Sequence, residues 1–308
     1  MGVTRRFGHD IAAGVALITL AACGGGGEAR TEPVAADGLR VASFDFAESV
    51  LLAEMYAQVI ESTGIPVIRL GAIGPREIIA PSLKLDRIDL VPEYLGTALQ
   101  HAGASQSDPD TDSALAELDA LLFQRNLTVL DAAPAQDKNV FVVTSELAER
   151  EALENISDLS RLAPELRFGG TAECRDRPLC LAGLETVYGL HFAEFIPQRS
   201  LRFTAEALRR EEIDVGLMFS TASAVVAFDL FVLTDDRLMQ PAENIVPVVR
   251  IEALDRWGPD VALALNDLSR ALTTRELRIL NVRVDNEESV ESVARDWLAA
   301  KELLRSTG

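Results

Sequence analysis

From residue 39 the sequence alternates short apolar runs with amphipathic ones, and it does so in two series. The first reads as strand 39-LRVASF-44, helix 45–63, strand 66-PVIRLG-71, helix 75–87 and strand 88-IDLVPE-93. Apolar residues in the first helix (Val50, Leu51, Ala53, Met55, Val59) recur near a period of 3.6, and Gly64 follows its end. The second series opens at 139-NVFVVTSELAEREAL-153 as strand then helix. It continues through 157–170, a helix at 181–189, a segment at 192–198, a helix at 204–212 and strands at 213–219 and 230–235. This β-α-β order predicts mainly parallel sheets with helices on both faces. A strand at 244–250 and amphipathic helices around 260–281 and 287–305 close the chain.

The two series share a local unit. Leu83-Lys84 leads into Ile88-Asp89-Leu90-Val91, and Leu208-Arg209 leads into Ile213-Asp214-Val215-Gly216. Each strand ends in a turn that is polar or aromatic, Pro92-Glu93-Tyr94 and Phe219-Ser220-Thr221. Two α/β lobes with matching turns predict a cleft between them, because ligands of open α/β sheets bind beyond the carboxyl ends of the strands. At 308 residues, 48% of them hydrophobic, the chain is long enough for two lobes with their own cores.

The N-terminus has its own signature. Arg5 and Arg6 precede the apolar run 11-IAAGVALITL-20, then Ala21, Ala22 and Cys23. A basic segment, a short apolar run and small residues before a cut make an export signal. The run is too short to span a bilayer as a stable helix. Leu20-Ala21-Ala22-Cys23 resembles the lipobox of bacterial lipoproteins, which implies removal of residues 1–22 and acylation of Cys23. The glycine-rich, polar stretch that follows, 23–38, reads as a flexible tether. The expected location is the outer face of the cell membrane, held by the lipid.

Export places the remaining cysteines, Cys174 and Cys180, in an oxidising compartment, where a pair this close in sequence is expected to be bridged. Two sulfurs with no nearby histidine leave a zinc ion short of ligands. Asp108, Asp110 and Asp112 alternate like the start of a calcium loop. However, Ser113 stands where such a loop needs glycine and Asp119 where it needs glutamate, and an acidic lead into the helix at 113–126 accounts for them equally well. The formal charge of −19 disfavours nucleic acid as a partner, since neutralising phosphates takes Lys and Arg. No cofactor is implied. Neither G-x-S-x-G nor H-E-x-x-H occurs, and no Cys–His pairing is in view, so an exported enzyme on the same scaffold is disfavoured.

Several long segments in order resemble the substrate-binding proteins of osmoprotectant ABC importers, the glycine betaine, choline and carnitine family with an OpuAC-type domain. They are 43-SFDFAES-49 (family Ser-x-Asn-Phe-x-Glu), 89-DLVPEYLGTAL-99, 167-RFGGTAECRDRP-178, 183-GLETVYGLHFAEF-195, 214-DVGLMFST-221 and 241-PAENIVPVVR-250. The resemblance runs from about Leu39 to Leu304. It implies a two-lobed periplasmic-binding-protein fold of type II, with mixed sheets, flanking helices and a ligand cleft between the lobes. Residues 39–137 and 239–308 would form one lobe and 138–238 the other, closing by a hinge motion. The implied partners are a small solute and an ABC permease with its ATPase, the binding protein itself acting as a monomer. A ligand-sensing lipoprotein without transport, or a different polar or aromatic solute on the same fold, is the alternative.

The chain has only three tyrosines, and the resemblance explains why one of them, Tyr94, stands at the end of a strand. A quaternary ammonium group donates no hydrogen bond and is held by aromatic faces, each worth about 0.5–2 kcal/mol. A carboxylate at the ligand's other end wants Arg, Thr or Lys donors. Carried over, Tyr94 is a cage wall, Thr97 a donor, Asp137 the family's acid, and Glu173 with Arg177 the pair whose arginine meets the carboxylate. The cage itself departs from the family. A family lysine falls on Phe44 and the following Asn on Asp45. One cage tyrosine falls on Asn139, another near Ala205 beside Phe203 and Thr204, and the last at or near Phe228. Phe44, Phe46 and Phe228 are expected to rebuild aromatic walls around Tyr94, with Ser220 and Thr221 as further polar contacts. The other tyrosines, Tyr56 and Tyr188, and both tryptophans, Trp257 and Trp297, read as packing residues.

Overall fold

The computed structural model describes residues 37–104 and 110–305. The export signal, Cys23, most of the tether and Asp108 lie outside the described residues. In chain order the elements begin β1 (Leu39–Ser43), α1 (Ala47–Glu61), β2 (Val67–Ala72), α2 (Arg76–Lys84), β3 (Leu90–Tyr94), α3 (Leu95–Ala102), α4 (Thr111–Phe123) and β4 (Leu127–Val129). Next come β5 (Asn139–Thr144), α5 (Ser145–Glu151), β6 (Arg167–Thr171), α6 (Leu181–Gly183), β7 (Glu194–Gln198), α7 (Leu201–Arg209), β8 (Val215–Phe219), α8 (Ser223–Ala227) and β9 (Leu230–Val232). The chain ends with β10 (Ile245–Arg250), α9 (Ile251–Trp257), α10 (Pro259–Ala271), α11 (Thr274–Asp285) and α12 (Val290–Ala300).

The strands form two five-stranded sheets, ordered β2-β1-β3-β10-β4 and β7-β6-β8-β5-β9. In the first sheet β1 runs parallel to β2 and β3, and β10 is antiparallel to β3 and β4. The second repeats the plan, with β6 parallel to β7 and β8, and β5 antiparallel to β8 and β9. In each sheet the fourth strand comes from where the chain passes between sheets, so Tyr94 pairs with Ile245 and Phe219 with Asn139 at corresponding rims. Among the described residues no helix is long and apolar enough to cross a membrane.

The repeated Ile-Asp unit has a physical role. Asp89 takes the backbone N–H of Arg40 at 2.9 Å, and its two oxygens take Nε and a terminal nitrogen of the same arginine at 2.8 and 2.7 Å. Asp214 does the same for Arg167, at 2.8, 2.9 and 2.9 Å. Each aspartate thus clamps the start of the central parallel strand of its own sheet, a bidentate geometry that fixes register as well as charge.

Each sheet has its own buried apolar groups. The first packs against α1, α10 and α12, around Leu51, Met55, Tyr56, Leu265 and Leu298. The second is lined on one face by Phe141, Phe168, the cystine and Leu184, and on the other by Ala205, Leu208 and Met218. Tyr56 and Tyr188 are buried, as their reading as packing residues anticipated, and Trp297 is buried with the first group.

Several boundaries differ from the sequence reading: the helix read at 204–212 is α7, three residues earlier, the helix read at 181–189 is α6 followed by a π-helical turn at Leu184–Tyr188, and the strand read at 230–235 is shortened to β9. The span 260–281 is two helices, because Thr273 caps α11 in a reciprocal box with Glu276 and breaks the run. The short strand β4 carries too little pattern to be read locally, and it exists because β10 pairs with it. The acidic residues before α4 act as a cap: Asp110 accepts from the Ser113 N–H, and Asp119 turns to the Thr128 hydroxyl at 2.7 Å.

Candidate functional site

The carboxyl ends of β1 and β3 carry an aromatic row. The Phe44 and Phe46 rings stack with centroids 5.8 Å apart and 3° between planes, and Phe46 meets Tyr94 at 5.9 Å and 36°. The far face of the row is closed by Arg76, whose guanidinium lies 4.9 Å from the Phe44 centroid and is held by Glu93 at 2.7 Å. Phe44 is 3% exposed, so it backs the row, whereas Phe46 at 43% presents its face to solvent. Asp45 between them is exposed.

Beneath the row lies a buried carboxylate. Glu48, in the first turn of α1, accepts from the Tyr94 hydroxyl at 2.9 Å and from Asn281 Nδ2 at 2.6 Å. The same Asn281 nitrogen donates to the Thr221 carbonyl at 3.0 Å. The Thr221 hydroxyl lies against both Glu48 and Asp137, donating to Asp137 Oδ1 at 2.8 Å. Burial raises the Glu48 carboxyl, against the pull of its three donors. Burial and the neighbouring charge of Glu48 push Asp137 up to about 7. Burial and the charges of Glu48 and Asp137 hold the Tyr94 phenol well above its ordinary value, so its proton stays on as a donor.

Thr97 and Ser220 are committed to the protein. The Thr97 hydroxyl and N–H donate to the two oxygens of Glu243, at 2.7 and 3.1 Å. Gly96 permits this approach, because a Cβ there would sit 2.8 Å from the Ala242 carbonyl oxygen. Ser220 Oγ donates to the Gln136 carbonyl at 2.6 Å and accepts from the Lys138 N–H at 2.9 Å, while its own carbonyl accepts from Arg278. These bonds tie β8 to the segment leading into β5.

The carboxyl ends of the second sheet form a cavity of about 280 Å³ lined by Asn139, Thr171, Glu173, Arg177 and Phe219, among others. Arg177 and Glu173 are both exposed and 3.8 Å apart. Asn139 Nδ2 donates to the Leu179 carbonyl at 3.2 Å. The Cys174–Cys180 bridge is formed and flanks this cavity, with Arg177 inside its loop. A larger cavity of about 560 Å³ opens on the other face of β8, between Glu48, Asn281, Met218 and Phe228.

The sequence-derived candidates therefore fall into three groups. Phe44, Phe46 and Tyr94 share one row, Asp137 and Thr221 share the network around Glu48, and Asn139, Glu173 and Arg177 share the smaller cavity. Phe228 is outside the aromatic row and lines the larger cavity with Glu48 and Asn281, under the guanidinium of Arg209 at 5.6 Å. Ala205 is fully buried in α7 and offers no aromatic face, while Phe203 nearby is 43% exposed. Residue-level reading missed Glu48, Asn281 and Phe219. Glu48 lies inside the quoted segment 43–49, and Phe219 ends the second Ile-Asp strand, where it is 47% exposed as the counterpart of Tyr94. Asn281 had no local signal, because α11 reaches the site only through packing.

The chain and its fold have known counterparts. The family profile of the substrate binding domain of ABC-type glycine betaine transport systems matches residues 37–300. The glycine betaine-binding protein YehZ of Escherichia coli is 26% identical over 282 residues, which are 87% of this chain and 92% of that protein. A glycine-betaine-binding protein of Pseudomonas aeruginosa is 27% identical over 280 residues, covering 87% of this chain and 89% of its own length. A crystal structure described as a glycine betaine/carnitine/choline ABC transporter superposes with a TM-score of 0.81 at 25% identity, over 86% of this chain and 99% of that one. The two sheets are thus the two lobes of a periplasmic-binding-protein fold. The chain belongs to the family of substrate-binding domains of ABC-type glycine betaine transport systems, extracytoplasmic proteins that hand small solutes to a membrane permease.

Proposed function

We propose that the chain captures a small betaine-type solute, glycine betaine or a close quaternary ammonium relative, between its two lobes and releases it to an ABC permease with its ATPase. The observation that carries this reading is the row Phe44–Phe46–Tyr94. It offers an exposed aromatic face at one rim, with the buried carboxylate of Glu48 behind it to reinforce the attraction for a cation. The cavity containing Arg177 at the second sheet supplies the opposite charge for a carboxylate. Residues 39–137 with 239–308, and 138–238, act as the two closing bodies in this reading. Binding and release suffice, so no catalytic group is required.

The relatives support a betaine class without fixing its member. The ligands after which they are named are glycine betaine, carnitine and, for a Helicobacter pylori permease fusion, ergothioneine. The reading is tested by calorimetric titration of the chain with glycine betaine, choline, carnitine, proline betaine and ergothioneine, repeated on Phe46→Ala and Tyr94→Ala. Micromolar binding of one solute, weakened about tenfold in Phe46→Ala and lost in Tyr94→Ala, is the expected outcome. Silence from all five with the protein folded would assign the site to another small polar or aromatic solute.

Acylation of Cys23, anchoring to the outer face of the cell membrane and action as a monomer belong to the same proposal and rest on the motif around Cys23 and on the family. Mass spectrometry of the membrane-extracted chain is expected to find lipid on an N-terminal Cys23, with Cys23→Ser released as a soluble protein.

A further inference from the structure

The cavity at the second sheet holds a second arginine that the resemblance did not assign. Arg199 follows directly on β7 and lines the same 280 Å³ space as Arg177. It makes no ion pair among the described residues, and its guanidinium carbon lies 5.9 Å from the centroid of the Phe203 ring. Contact with an aromatic face leaves the outward N–H groups of a guanidinium free and steadies its plane.

The rest of the lining is matched to this charge. The Thr171 and Ser200 hydroxyls make no hydrogen bond among the described residues. Ser200 is the N-cap of α7, a nine-residue helix, and among the described residues no side chain caps its first N–H groups. The single carboxylate in the lining is Glu173, already beside Arg177. Donors from a loop, a strand end and a helix start converge on one space that contains two guanidiniums and one acid. On a chain of net charge −19, that local excess is a receptor for an anion.

We infer that Arg199 is a specificity-determining residue that, with Arg177, clamps the ligand's carboxylate and so restricts the site to solutes that carry one. This rests on the proposed betaine-type function for the cationic half of the ligand, and it goes further by separating carboxylate-bearing solutes from cations that lack the group. Two guanidiniums on one carboxylate confer specificity because a ligand without it leaves Arg199 with no counter-charge, and Arg177 with only Glu173, when the lobes close.

The test uses the full chain purified in mild detergent, as wild type, Arg199→Gln, Arg199→Lys and Arg177→Gln. Each is titrated calorimetrically with glycine betaine and with choline, which shares the trimethylammonium group and lacks the carboxylate. Arg199→Gln is expected to weaken glycine betaine by about 10- to 100-fold and to change choline by less than about 3-fold, narrowing the preference between them. Arg199→Lys is expected to fall between. Unchanged glycine betaine binding in Arg199→Gln, or equal losses for both solutes, would overturn the inference.

If the wild type binds neither solute, the betaine reading fails, and the arginine pair is then judged on acetate alone. Acetate at 100 mM, against chloride at equal ionic strength, is expected to raise the wild-type melting temperature by about 2 °C and to leave Arg199→Gln unmoved. Equal shifts in the two proteins would end the proposal on that arm. Arg199 is exposed, so its loss is not expected to disturb folding.

Discussion

The hydroxyl of Tyr94 donates to Glu48 at 2.9 Å, and this bond joins the end of β3 to the first turn of α1. The same carboxylate takes Asn281 from α11, and Asn281 in turn holds the Thr221 carbonyl. In the proposed site Tyr94 is a wall, and in the fold it supports the network that includes Asp137. The two roles separate by mutation.

Tyr94→Phe keeps the ring and removes the donor from a buried carboxylate. Stability is expected to fall by about 1–3 kcal/mol in urea unfolding, with ligand affinity changed only a few-fold. Phe46→Ala is the mirror case. Its ring is exposed, so stability is expected to hold within about 0.5 kcal/mol while affinity for a quaternary ammonium ligand drops about tenfold. A Phe46→Ala protein that binds as tightly as wild type would remove the aromatic row from the site.

The pH dependence of stability follows from Asp137. Its folded pKa is pushed up to about 7 by burial and by Glu48, so the folded chain holds a proton that the unfolded chain releases above its ordinary value of 3.8. Between pH 4 and 7 the native state binds more protons than the unfolded state. Stability is therefore expected to fall as pH rises through that window, by up to about 1.4 kcal/mol per pH unit. Glu48 and Glu243, also raised by burial, act with the same sign. Urea midpoints at pH 5, 6 and 7 check this, and Asp137→Asn is expected to flatten the trend. Midpoints that rise with pH in the wild type would contradict it.

The cystine encloses Arg177, so its loss is expected to act on binding as well as on folding. Closing so short a loop stabilises by about 2 kcal/mol in the chain-entropy picture. Cys174→Ser with Cys180→Ser is expected to lower the melting temperature by several degrees and to weaken a carboxylate-bearing ligand more than choline. Equal affinities with and without the bridge would show that the loop holds Arg177 in place by other means.

Gly183 follows the bridge and has no room for a side chain. A Cβ there would lie 2.0 Å from the Pro178 carbonyl oxygen and 2.7 Å from the Met239 sulfur. Gly183→Ala is expected to cost about 1–3 kcal/mol or more, because a backbone atom must move. By contrast, Gly103, which ends α3 at positive φ with open space around it, is expected to lose stability through backbone strain alone on mutation to Ala.

Much of the architecture was present in local pattern. Strand and helix periods set two α/β series, and the paired Ile-Asp units marked equivalent strands, because an aspartate at that position must meet the arginine that starts its neighbour. The row around Tyr94 was legible for a similar reason: β1 and β3 are adjacent and parallel, so their carboxyl ends arrive at one rim. Glu48 as the hub, Asn281 as its donor, and Arg199 beside Arg177 came only from the tertiary structure. Hydrogen bonds across 46 and 233 residues leave no periodic trace in sequence, since they depend on which helix face the packing of the core turns toward the cleft. Likewise, whether Thr97 and Ser220 are free donors depends on the tertiary structure. It set Glu243 and the Gln136 carbonyl within reach, and a hydroxyl that has found a buried acceptor stays on it.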